Sequence, residues 1–192
     1  MQKKMLLAGL ISAATLAGCT AKTVTIDNLL QNPLFAERYA ESMVDRLVEL
    51  DITKNPVLED PAKKAFVETQ RKHWLQVARE AREKQREGTT GNLVPINEYA
   101  KGDFLYIDDT LYVGTLFEID PLPGLHVYLT TVVDPRDVEF PDDTAMDLGP
   151  IQTAYGAHAY EVPSVENPLL YRTVVLWDNE LGRLHSFAQL NK

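Results

Sequence analysis

The spacing of apolar residues changes once along this chain, across residues 89–100, and that change constrains the fold more than any other feature. Before it, apolar residues recur at helical intervals. In "NPLFAERYAESMVDRLVELDI" (32–52), Phe35, Tyr39, Met43, Leu47 and Leu50 fall on one face. Asn32 is placed to cap this helix, and Pro33 suits its first position. A second helix is expected from Asp60 and Pro61 to Glu87, stopped by Gly88, with a stripe of Ala62, Phe66, His73, Trp74, Val77 and Ala81. At 1.5 Å per residue it spans ~40 Å. Its last turns, "REKQRE", have no apolar side and are expected to project past the body of the protein.

After the change, apolar residues alternate. "DFLYI", "TLYVGTLFEI", "LHVYLTTVV", "AYEV", "RTVVLW" and "LHSFAQL" read as strands, separated by turns rich in Asp, Pro and Gly. The expected fold class is α+β: a helical segment of two helices (32–88), a linker (89–100), then an antiparallel all-β sandwich or barrel (101–192). Gly88, Gly91 and Pro95 punctuate the linker.

Chemistry is thinly signalled. No Gly-rich strand-to-helix turn offers a phosphate cradle. Ser164 and Ser186 lack the context of a serine nucleophile. His73 lies on the helical stripe beside Trp74 and reads as a core or interface residue. His126, His158 and His185 fall in separate strands without metal-ligand spacing. The loop acids Asp108, Asp109, Asp134, Asp137, Asp142, Asp143 and Asp147 lack the register a calcium site needs and read as turn residues. No catalytic or metal-ligating residue is assigned and no cofactor is required, although haem and calcium stay open. Residues 101–192 carry 5 bases against 15 acids, a balance that argues against nucleic acid.

The first residues carry a different message. "MQKK" supplies two positive charges, "MLLAGLISAATLAG" is apolar with small residues toward its end, and the chain's one cysteine follows. This is the layout of a secretory signal peptide, and the run is short for a spanning helix, which needs ~20 apolar residues. Leu16-Ala17-Gly18-Cys19 resembles the lipobox of bacterial lipoproteins. That resemblance implies removal of residues 1–18, acylation of Cys19, a tether over 19–31, and a place on a bacterial membrane facing outside the cytoplasm. Loss of Lys3 and Lys4 would leave a net charge of −11.

The C-terminal half also carries a family pattern. "LYVGTLFEIDPLPGLHVYLT", "DLGPIQTAYGAHAYEVP" and "LYRTVVLWDNELGRLHSFAQL" together resemble the DM-thirteen domain, over about residues 101–192. The shared features are a Pro-Gly turn before a Val-Tyr-Leu strand, Gly156, Tyr160 and Pro163 in sequence, then Val-Val-x-Trp and a final Ala-x-Leu. The resemblance implies a β sandwich related to DOMON domains and a proposed role in electron transfer at the cell surface. That role rests on a cysteine after the strand tryptophan, where this chain has Asp178. A carboxylate cannot undergo reversible thiol chemistry.

The resulting expectation is a lipid-anchored, non-catalytic protein whose β domain binds a partner, cell-wall component or small ligand. Its partners would be the membrane, through Cys19, and an envelope protein or glycan. The alternatives are a redox module and a carbohydrate- or calcium-binding module. The candidate ligand-binding residues are His126, Tyr128, Trp177 and Asp178. Asp178 and Asn179, with Gly182, are also expected to form the last hairpin turn.

Overall fold

A computed structural model describes residues 24–192. The leader, Cys19 and the start of the tether lie outside the described residues. Among those described, three α-helices precede ten strands. The tether ends in a helical turn, α1 (Ile26–Leu29), closed by a reciprocal cap between Thr25 and Asn28.

Helices α2 (Pro33–Ile52) and α3 (Pro61–Glu87) start and stop where the sequence places them. Asp60 accepts hydrogen bonds from the amides of Ala62 and Lys63. Asn32 does more than cap. Its Oδ1 accepts from the amides of Leu34 and Phe35, while its Nδ2 donates to the carbonyl of Val113 at 2.8 Å. One buried side chain thus starts the helix and fastens the hairpin to the sheet.

The α2–α3 seam is built from small residues. Ala36, Ala40, Ala78 and Ala81 are buried there with Val67, and Trp74 meets Tyr39 edge-on. The buried stripe of α3 is therefore rotated from the expected one: Phe66 and His73 are exposed, with His73 against Trp74. Alanines let the helices approach closely, so the larger side chains lie at the margins of the seam. The polar end of α3 does not project away either. Arg82 pairs with Glu37 and Glu41, Gln85 donates to the carbonyl of Pro33, and Lys84 pairs with Asp108.

The largest correction concerns residues 89–100. Only residues 96–99 connect elements, because Thr89–Pro95 form a strand and Ala100 begins another. Strand β1 (Thr89–Pro95) begins directly after α3 and lies in the middle of the main sheet. Thr89, Gly91 and Leu93 turn inward, so the segment alternates as a strand must. Gly91 is there for close approach: a Cβ would lie 2.3 Å from the carbonyl oxygen of Gln189.

The remaining strands are β2 (Ala100–Lys101), β3 (Asp103–Ile107), β4 (Thr110–Val113), β5 (Glu118–Ile119), β6 (Leu125–Thr130), β7 (Met146–Pro150), β8 (His158–Glu161), β9 (Thr173–Asp178) and β10 (Arg183–Gln189). Eight of them form one antiparallel sheet in the order β7-β6-β9-β10-β1-β3-β4-β8, and β2 pairs with β5. The sheet curls nearly into a barrel. Its inner face holds one core, including Phe104, Leu111, Phe117, Val127, Leu176 and Ala188. Between the edge strands, the Tyr160 hydroxyl accepts from the amide of Gln152, whose side chain donates to the carbonyl of Ala159. A second, smaller cluster of Tyr128, Phe140, Val175 and Phe187 lies on the outer face of β6, β9 and β10. The long β6–β7 connection covers it with Phe140, and the Arg136 guanidinium sits 5.3 Å from the centre of the Phe187 ring.

Candidate functional site

Three of the four candidate ligand-binding residues meet on that outer face. His126 and Tyr128 are two apart on β6 and so point the same way. Trp177 on β9 lies directly opposite His126, and Leu184 on β10 opposite Trp177. On the other side, β7 brings Asp147 opposite Tyr128. The β6–β7 register shifts between His126 and Tyr128, and Gly149 takes a positive φ there. Such a bulge re-aims side chains. Here the Asp147 carboxylate reaches the His126 ring, with its two oxygens 3.0 and 2.9 Å from Nδ1. Asp147 also accepts from the amide of Gly149.

Beside this pair, the Tyr128 hydroxyl donates to Oδ1 of Asn179 at 2.9 Å. Phe140 packs edge-on against Tyr128 and, tilted, on Trp177, with ring centres 5.4 and 5.2 Å apart. Tyr128 and Phe140 are buried, Trp177 is half-buried, and Asn179 is exposed. The result is a surface ledge: the half-buried Trp177, braced from beneath by Phe140 and Tyr128, beside an imidazole, a carboxylate and an amide. Nδ1 of His126 is turned to Asp147, and among the described residues Nε2 has no hydrogen-bond partner. Among the described residues no hydroxyl hydrogen-bonds to His126, so the pair lacks the nucleophile of a triad. Asp147, Asn179 and Phe140 were not expected as site residues. All three sit in segments that read as turns, and only the register of β6 with β7 and β9 aims them here.

Asp178 is not part of the ledge. As the next residue along β9 it points the other way, and it is fully buried. Its Oδ1 accepts from the amides of Glu180 (2.9 Å) and Leu181 (2.8 Å), and its Oδ2 from the amide of Gly124 (3.2 Å). Burial alone would raise its pKa. The three backbone donors, with Arg183 nearby, outweigh that and hold the carboxyl below its ordinary range. Asp178 shapes the β9–β10 turn and ties it to the turn before β6. Gly124 must be glycine, since a Cβ would lie 2.8 Å from the backbone nitrogen of Glu180.

The other histidines have structural surroundings. His185 is fully buried, with Nε2 donating to the carbonyl of Asp120 and Nδ1 beside the Ser186 hydroxyl. His158 donates from Nδ1 to the carbonyl of Gly156 between the rings of Phe117 and Tyr160, and burial lowers its basicity. The loop acids act locally. Asp134 is held by Arg136 at a pKa of about 2. Burial would raise Asp142, but hydrogen bonds from Thr144 and Thr130 outweigh it and leave the group lowered. Among the described residues, no group of three or more His, Asp or Glu side chains is arranged to hold a metal ion. No described helix is long and apolar enough to cross a membrane.

No protein-family model matches this chain, and neither the curated proteins nor the solved structures contain a match.

Proposed function

We propose that this chain is a lipid-anchored extracytoplasmic protein of a bacterial envelope whose β domain binds a ligand on its outer ledge without catalysing a reaction. The observation that carries the binding role is the convergence of His126, Asp147 and Asn179 beside the braced Trp177. The anchoring rests on the leader and on Leu16-Ala17-Gly18-Cys19. Acyl chains on Cys19 would hold the protein at the membrane, since each buried methylene contributes ~0.8 kcal/mol.

The chemistry of the ledge favours a polyhydroxylated ligand such as a cell-wall glycan. A sugar ring has C–H faces that pack on aromatic rings and hydroxyls that pair with imidazole, carboxylate and amide groups. In this reading the DM-thirteen-like pattern marks a fold adapted to binding, and the thiol on which the redox proposal rests is replaced by a turn-forming acid. The helical hairpin spaces or docks the β domain.

Calorimetric titration of the purified chain with soluble cell-wall glycan fragments tests the proposal. Saturable binding, weakened about tenfold or more by His126→Ala with unchanged melting, supports it. Absence of binding to glycans and to every other envelope fraction, or turnover of an envelope substrate, would overturn it.

A further inference from the structure

A second site lies away from the ledge, at one end of the barrel. There, β1 begins, β3 turns into β4 at Asp108-Asp109, and the segment Asn167–Leu169 crosses before β9. Together with Gly88 and Ile107 these line an open cavity of about 370 Å³. Its size is at the lower end of the ~300–1,000 Å³ typical of small-molecule pockets.

Two features make this cavity more than a surface fold. Thr89 and Tyr106 both line it, and they are direct cross-strand partners on the inward face. Thr89 is 9% exposed and Tyr106 4%. Among the described residues, neither hydroxyl has a hydrogen-bond partner. Leaving a buried hydroxyl unpaired costs about 1–3 kcal/mol. Both residues line one cavity, so a guest that reaches their hydroxyls would supply the missing partners.

The second feature is the rim. Asp108 is paired with Lys84, but among the described residues Asp109 has no bonded cation. Asp109 lines the same cavity as Tyr106. Asp108 and Asp109 both hold positive φ, 50° and 53°, where Asn or Gly would be at ease. The lip opposite is apolar, with Pro168 and an exposed Leu169. Acids at the rim disfavour an anionic guest, and the apolar lip favours a hydrocarbon part.

We propose that this cavity binds a small amphiphilic amine, with its hydrocarbon body against Ile107, Pro168 and Leu169 and its ammonium between Asp109 and the Tyr106 hydroxyl. The ammonium donates to the Asp109 carboxylate and to the phenol oxygen. The Thr89 hydroxyl is available to a second polar atom of the guest.

An NMR titration of the purified full chain with phenethylamine, and in parallel with its neutral isostere 2-phenylethanol, tests this. The expected result is saturable shifts at Thr89, Tyr106, Asp109 and Leu169 with the amine, at a Kd of about 1 mM or tighter, and at least about tenfold weaker binding of the alcohol. Asp109→Asn, which suits the left-handed backbone, should abolish the preference for the amine without lowering the melting temperature. Tyr106→Phe should weaken the amine while melting stays equal or rises, because the unpaired hydroxyl is gone. Equal binding of amine and alcohol, shifts elsewhere or none, or an Asp109→Asn variant that binds like the wild type would each overturn the proposal.

Discussion

Removing the carboxylate of Asp178 should destabilise the chain by about 2–4 kcal/mol, several times an ordinary surface change. The magnitude follows from its three partners. The bonds from the amides of Glu180 and Leu181 are only partly buried, so water largely replaces the lost acceptor and the two together contribute about 0.5–1 kcal/mol, as in a cap. The amide of Gly124 is half-buried and bonded to a charged acceptor, which is worth about 1.5–3 kcal/mol. For a chain of this size, each kcal/mol moves the midpoint by ~2–4 °C. Asp178→Ala should therefore melt about 5–15 °C below wild type at pH 7. Asp178→Asn should fall between them: its oxygen can still serve the turn, but its NH₂ then faces the Gly124 N–H, donor against donor. The pH dependence has a defined sign. The folded carboxyl titrates below its unfolded value, so its contribution is complete above the ordinary carboxylate range, ~4, and is lost as pH falls through the folded value. Urea or thermal denaturation of the three proteins at pH 7 and near pH 3 measures this. The gap between wild type and Asp178→Asn should narrow in acid. A gap under ~0.5 kcal/mol at pH 7, or one that widens in acid, would refute the reasoning.

Other perturbations probe the joints of the fold. Asn32→Ala removes both the cap of α2 and the donor to the Val113 carbonyl, and should cost about 2–3 kcal/mol in a urea melt. Asn32→Ser, which retains only the cap, should recover less than half of that loss. Gly91→Ala forces a Cβ against the Gln189 carbonyl and should cost about 2 kcal/mol or more, with faster amide exchange along β1 and β10. A freely mobile linker would instead tolerate the change.

The helices were legible because their signals are local. Asn32-Pro33 and Asp60-Pro61 write each start into adjacent residues, and Gly88 writes the stop. Strand β3 and the β9–β10 hairpin were legible for the same reason: period-2 alternation broken by turn residues. What failed depended on distant partners. Gly91 reads as linker punctuation in one dimension, whereas its role is set by a carbonyl 98 residues away. The stripe of α3 was misplaced because alanines, weak hydrophobic signals, form the seam with α2. The candidate site was half legible. His126, Tyr128 and Trp177 share a face because the register of β6 with β9 puts them there. Their polar companions Asp147 and Asn179 arrive through a bulge and a turn that no periodicity announces. Asp178 sits one residue from Trp177 in sequence and on the opposite face of the sheet, where its acid is consumed by three amides.

The claim beneath the proposed function is that this protein lives on a membrane through Cys19, and mass spectrometry of the chain purified from its native cells tests it directly. The expected result is a mature N-terminus at Cys19 carrying acyl chains, recovery with membranes, and loss of both on Cys19→Ala. A wild-type chain recovered from the soluble fraction with residues 1–18 intact and an unmodified cysteine would contradict it.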